Sequence, residues 1–120
     1  MEKFTLTQYP KVQAEFEAWF SKKFERLGNY VNPNFYLIEF LFQQGVYEAY
    51  FRSVGIYPSL RESLKFRNKK YIAKWEPLVN GLSYGEWQNN PIKAKTAALE
   101  EAAKIREEQL TIMKNSQNLP

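Results

Sequence analysis

The sequence predicts an all-α fold, a small bundle of three to four helices with a longer, alanine-rich C-terminal helix. Apolar residues recur at helical spacing in four segments, and capping residues or glycines stand at most of their ends. With 120 residues, 44% of them hydrophobic and 17% aromatic, the chain can bury the core of one domain. We expect this domain over residues 1–115 and a flexible tail over 116–120.

The first helix is predicted from about Gln8 to Leu27. Gly28 can take the left-handed conformation that closes a helix. The preceding residues, Phe4 to Thr7, alternate between apolar and polar and are predicted to form an extended arm. The apolar residues that recur at helical spacing are Val12, Phe16, Trp19, Phe20, Phe24 and Leu27.

The second helix is predicted from about Pro33 to Val54, with Asn32 as its cap and Gly55 at its end. It carries two apolar stripes, and a helix that is apolar on two sides is usually buried on both. The alternative is that one stripe binds a partner or a second copy of the chain. The predicted partner-binding residues of this aromatic stripe are Tyr36, Phe40 and Tyr47.

The third helix is predicted to start near Leu60. The residues Ser59 to Glu62 match a capping box, in which a serine cap is followed three positions later by glutamate. Pro77 is expected to kink or end this helix, and Gly81 marks a stop. Its apolar face is formed by Leu64, Tyr71, Trp75 and Leu78.

The fourth helix is predicted from Asn90-Pro91, a cap followed by a first-turn proline, to about Asn115. Its wide apolar side contains several alanines, and small residues let another helix approach closely. This helix either completes the bundle or pairs with another chain. The predicted partner-binding residues on it are Leu99, Ile105 and Ile112.

Positive charge is concentrated in residues 61–74, which carry a net charge of +5 in a chain whose net charge is +4. On a helix, these residues would lie on two flanks of the apolar stripe rather than on one ridge. Three interpretations stay open: a solvated helix, contacts to nucleic-acid phosphates, or contacts to an acidic protein or anionic surface. The basic residues concerned are Arg61, Lys65, Arg67, Lys69, Lys70 and Lys74.

The chain contains no histidine, cysteine or aspartate, the residue types that supply most metal ligands and most catalytic nucleophiles and bases. We therefore predict that it is not an enzyme and that it holds no catalytic residues, metal or cofactor. A third hypothesis is a glutamate-dependent enzyme. Glu39 and Glu48, on the aromatic-rich helix, are the glutamates most expected to be partly buried, but no two glutamates stand out as a paired acid and base. This hypothesis requires a deep pocket that holds two glutamates.

The sequence thus favours a small non-enzymatic helical interaction protein, an adaptor, regulator or assembly factor. We expect it to bind a protein partner and to self-associate through helix faces. The alternative is a nucleic-acid-binding protein that uses the basic 61–74 helix on phosphates. The N-terminal residues do not resemble a secretory signal, and no segment is apolar enough to span a bilayer. We therefore predict a cytoplasmic location.

Overall fold

The computed structural model describes residues 4–23, 40–83 and 85–117. Within them, three helices and a three-stranded antiparallel sheet follow one another in the order α1, α2, β1, β2, β3, α3. The prediction of an all-α helical bundle is therefore wrong, and the fold is mixed α/β. The bounds are Pro10–Lys23 (α1), Phe40–Ser53 (α2), Pro58–Arg67 (β1), Lys70–Val79 (β2), Leu82–Ser83 (β3) and Pro91–Gln117 (α3).

The segment predicted as the third helix forms the β1–β2 hairpin instead. Asn68 and Lys69 connect the strands with φ angles of 50° and 61°. Positive φ at both central residues defines the type I′ turn, whose twist matches that of the two strands it joins. The capping-box residues Ser59 to Glu62 lie inside β1, because strand pairing overrides a helix-start signal that is only local.

A second tight turn, Asn80-Gly81, joins β2 to β3 with φ angles of 52° and 79°. Asparagine followed by glycine is a strong hairpin signal, so Gly81 marks a turn rather than a helix end. Pro77 is tolerated within β2 because of its place in the hydrogen-bond pattern. Trp75, two residues earlier on the same strand, directs its N–H and C=O groups away from β1 and exchanges hydrogen bonds with Gln88 (N···O 2.8 and 2.7 Å). Pro77 shares that direction, so the β1 ladder needs no N–H from it.

The predicted helix ends at Gly55 and Asn90 are confirmed. Gly55 has a φ of 83°, and the N–H of Ile56 donates to the C=O of Phe51 (2.9 Å), the long hydrogen bond of a Schellman motif. The Asn90 side chain accepts a hydrogen bond from the Ile92 N–H (2.7 Å) at the start of α3. The predicted end of the first helix at Leu27 and start of the second at Pro33 lie outside the described residues.

The core lies among the three helices, and the N-terminal residues join it. The segment predicted as an extended arm packs on this core: the ring of Phe4 meets the ring of Tyr47 edge to face, with centroids 5.0 Å apart. Phe16 lies at the centre, 4.9 Å from the ring of Tyr47 and 5.5 Å from that of Tyr50. The sheet contributes Val79 to this core, at the end of the hairpin away from the Asn68-Lys69 turn. The buried members are Phe4, Leu6, Val12, Phe16, Phe20, Tyr47, Tyr50, Phe51, Ile56, Val79, Leu99, Ala102 and Ala103.

Candidate binding surface on the hairpin

The register of the hairpin decides which residues share a face. β1 and β2 pair from Pro58 opposite Val79 to Arg67 opposite Lys70. Directly paired residues lie on the same face of a sheet, and successive residues alternate between faces. The basic face, as we name it, therefore comprises the paired positions Arg61 and Glu76, Ser63 and Lys74, Lys65 and Ile72, and Arg67 and Lys70.

Strand geometry collects the positive charge that helical geometry would have divided. Five of the six predicted anion-contact positions fall on the basic face, and the sixth, Lys69, lies in the turn. The reason is the period with which side chains repeat their direction along the chain. Residues two apart share a face in a strand but lie on nearly opposite sides of a helix. Residues 58–79 contain six basic and two acidic residues, a net charge of +4 that equals the net charge of the whole chain.

The base of the basic face holds an ion pair. Arg61 Nη2 donates to both carboxylate oxygens of Glu76, at 3.1 and 3.0 Å. Hydrogen bonds from Ser83 and then Arg61 lower the pKa of Glu76 against an opposing effect of burial. Glu76 therefore stays ionised at neutral pH and offsets the charge of Arg61, whose side chain nevertheless remains 61% exposed. The uncompensated charge lies further along the hairpin, where Lys65 and Lys70 are exposed.

The opposite surface, which we name the aromatic face, consists of the paired positions Phe66 and Tyr71, Leu64 and Ala73, and Glu62 and Trp75. Leu64 and Phe66 are each 63% exposed and Tyr71 is 75% exposed. The rings of Phe66 and Tyr71 contact each other across the strands, with centroids 5.1 Å apart and planes at 52°. Three large apolar side chains thus stand together in solvent.

The same face is buried at the base of the hairpin. Pro58, Pro77 and Val79 are fully buried there, and α3 packs against both strands. The aromatic face therefore passes from core to solvent along a single hairpin. The alternation of Leu64-Lys65-Phe66-Arg67 is the sequence signal for this arrangement, and the helical interpretation overlooked it.

The predicted partner-binding side chains that the structure describes, Tyr47, Leu99, Ile105 and Ile112, do not form one surface. Tyr47 and Leu99 are core residues, 2% and 0% exposed, so neither side chain presents area to a partner in this fold. Ile105 is half-buried against the core, whereas Ile112 is 64% exposed near the end of α3. Phe40 begins α2. Tyr36 lies outside the described residues.

Of the two glutamates expected to be partly buried, Glu48 lies among the described residues. Glu48 binds Arg52 (Oε1···Nη2 2.6 Å) and Lys95 (Oε2···Nζ 2.5 Å), so it joins α2 to α3 as part of an ion-pair network. Glu39 lies outside the described residues.

An open groove of about 320 Å³ also contains carboxylates. Its lining includes Glu100 and Glu101, and burial followed by these two charges raises the pKa of Tyr9 beside them. The two glutamates are neighbours along α3, so their side chains diverge by about 100° around the helix. They do not form a facing acid–base pair.

Comparison with known proteins gives no match, whether with protein-family models, curated proteins or solved structures. Among the described residues, no helix combines the length and apolar character needed to cross a membrane.

Proposed function

We propose that this chain is a non-enzymatic nucleic-acid-binding protein that holds phosphates on the basic face of the β1–β2 hairpin. The single observation that supports the proposal is the register, which gathers the excess positive charge of the molecule on one side of a two-stranded ribbon. The hairpin replaces the basic helix that the sequence predicted for this role. The proposal keeps the predicted cytoplasmic location, where nucleic acid is accessible.

The physical basis is counterion release. Each lysine or arginine that neutralises a phosphate frees a condensed cation from the nucleic acid, which favours binding at low salt. Lys70 and Lys74 lie four residues apart on β2, and Lys65 lies opposite the position between them, so the three amines form a short row that can follow a phosphate backbone. A two-stranded ribbon is also narrow enough to enter the major groove of a duplex.

A charge-matched pair of variants tests this proposal. The triple variant Lys65→Gln, Lys70→Gln, Lys74→Gln removes three charges from the basic face. The control, Lys93→Gln, Lys104→Gln, Lys114→Gln, removes three charges from exposed positions of α3. Both variants lower the net charge from +4 to +1. Fluorescence anisotropy with labelled DNA and RNA should be measured at about 50 and 200 mM salt, where phosphate-driven affinities differ strongly.

We expect the wild type and the control to bind with an affinity that falls steeply with salt. The hairpin variant should bind more weakly, with a slope of log K against log salt reduced by about 0.7–0.9 for each phosphate that the protein no longer neutralises. Equal decreases in affinity in both variants would show that binding depends only on net charge and not on the basic face. Either that result or no detectable binding at low salt would refute the proposal.

A second candidate function is self-association through the end of α3. Ile112 and Met113 are adjacent, apolar and 64% and 50% exposed. Exposed apolar side chains on a helix can be covered by a second copy of the chain. Sedimentation velocity at micromolar concentration tests this candidate, with Ile112→Ser, Met113→Ser as the variant. A monomer at every concentration would remove it.

A further inference from the structure

We infer that the aromatic face binds unpaired bases, so that the ligand of the hairpin is single-stranded nucleic acid rather than a duplex. The inference rests on the proposed function and deepens it by naming the form of the ligand. It starts from the three large side chains Leu64, Phe66 and Tyr71, which stand in solvent behind the basic face.

The basic residues around this patch favour a polyanion as the ligand. The pair Phe66 and Tyr71 is followed directly by the pair Arg67 and Lys70, and then by Lys69 in the turn. Burying this lysine-rich tip beneath an apolar protein surface would cost the hydration of several ammonium groups. A nucleic acid carries the charge that compensates them, together with apolar ring faces that suit the aromatic patch.

The size of the patch also argues against a second copy of the chain. The exposed parts of Phe66 and Tyr71 amount to about 100–200 Å² each, estimated from the area that an aromatic side chain buries. A stable protein interface needs about 800 Å² from each partner, so this patch falls short even with Leu64 included. One or two stacked bases, by contrast, require only the face of a ring.

One nucleic-acid strand can contact both faces of the hairpin, with its phosphates on the basic face and a base on the aromatic face. Lys70 and Tyr71 are successive residues next to the turn, so the basic and aromatic faces are separated there only by the thickness of the two-stranded ribbon. A flexible single strand can keep its phosphates near Lys69 and Lys70 while it turns a base onto Tyr71, whose ring is 75% exposed. In a duplex the bases are stacked on one another, and freeing one costs a few kcal/mol.

Labelled oligothymidine and a blunt duplex of the same length serve as the two probes. The test variant is Phe66→Leu, Tyr71→Leu, which keeps apolar bulk in the strands and removes the aromatic rings. The control is Tyr57→Leu, an exposed aromatic residue (54%) that lies outside both strands. Far-ultraviolet circular dichroism and sedimentation velocity on each protein report folding and mass.

The wild type should bind oligothymidine more tightly than the duplex. The double variant should lose at least about fivefold in affinity for oligothymidine, the lower bound for one stacked base, and keep its affinity for the duplex. The control should bind like the wild type. These results together would support the inference.

Three outcomes would overturn it. If both probes bind equally and only the basic-face variant weakens them, the aromatic face does not bind bases, while the proposed function stands. If the double variant abolishes a dimer present in the wild type without a change in oligothymidine affinity, a second copy occupies the face. If neither probe binds in a salt-dependent manner, the inference falls together with the proposed function.

Discussion

Glu15 and Arg106 join α1 to α3 through two parallel hydrogen bonds, from Nε to Oε1 (2.8 Å) and from Nη2 to Oε2 (2.9 Å). The side chains are 30% and 14% exposed, respectively, so the pair lies partly out of water. A bidentate contact of this kind is stronger and more directional than an exposed ion pair. It fixes the position of α1 against α3, the helix on which both strands of the hairpin pack.

The substitution Arg106→Met should destabilise the fold by about 1–3 kcal/mol, because it leaves the half-buried carboxylate of Glu15 without its main charged partner. The matched control is Arg52→Met, which breaks the more exposed pair with Glu48 within α2 (57% and 17% exposed). The control should cost less than about 1 kcal/mol. Urea unfolding at pH 7 measures both, and equal decreases in stability would contradict this ranking.

Glu15 and Tyr50 together give the stability of the fold a pH dependence on both sides of neutrality. The Tyr50 hydroxyl donates to Glu15 Oε1 (2.6 Å), and burial followed by the Glu15 charge raises the pKa of Tyr50 above its usual 10.0. Burial opposes the lowering of the Glu15 pKa, but hydrogen bonds from Arg106 and Tyr50 still hold it below 4.5.

The signs follow from linkage between protonation and folding. A lowered carboxylate pKa contributes stability above pH 4.5 that is lost as pH falls through the folded-state value. A raised tyrosine pKa contributes stability below pH 10.0 that is lost as pH rises above it. Tyr50→Phe should therefore cost about 1–3 kcal/mol at pH 7 and flatten the alkaline decrease in stability. Urea titrations at pH 7 and about pH 11 check this, and an unchanged alkaline slope would refute it.

Glu107 caps a helix to which it does not belong. Its carboxylate oxygens on α3 accept hydrogen bonds from the backbone N–H groups of Lys11 (3.2 Å) and Val12 (2.9 Å) at the start of α1. Glu107→Ala should cost about 0.5–2 kcal/mol, because it leaves these donors without their acceptor and removes a negative charge from the positive end of a helix. The neighbouring exposed Glu108→Ala should be nearly neutral. Similar melting temperatures for both variants would contradict a capping role.

The turn of the hairpin can be improved. Lys69 has a φ of 61°, a left-handed conformation that costs a residue with a side chain about 1–2 kcal/mol. Lys69→Gly creates the Asn-Gly sequence preferred in type I′ turns and should slow amide hydrogen exchange in β1 and β2 about fivefold or more. Lys70→Gly removes the same charge from an extended position and should speed exchange instead. Equal effects would show that charge, not conformation, controls opening.

Some features of the fold depend only on residues that are close together in the sequence. The caps at Asn90 and Gly55 and the apolar spacing of Val12 and Phe16 predict helix ends and core faces that the structure confirms. These features involve residues within two or so turns of each other, so the sequence reports them directly. The asparagine–glycine turn at residues 80–81 belongs to the same class of signal, although the helical interpretation passed over it.

The hairpin was decided by tertiary pairing. Leu64, Tyr71 and Trp75 fit a helical period about as well as a strand period, and the turn residues Asn68 and Lys69 lack the glycine that usually reveals a hairpin. A strand gains its hydrogen bonds only from a partner, and the buried base of the sheet against α3 fixes that pairing.

The concentration of positive charge within fourteen residues and the scarcity of groups suited to catalysis are therefore properties of the amino-acid sequence. Strand pairing is what brings this charge to one face with exposed rings behind it, because a side-chain period of two residues groups positions that a helical period of 3.6 residues separates. Tertiary packing also makes Tyr47 and Leu99 core residues, since burial depends on what packs against a stripe and not on the stripe.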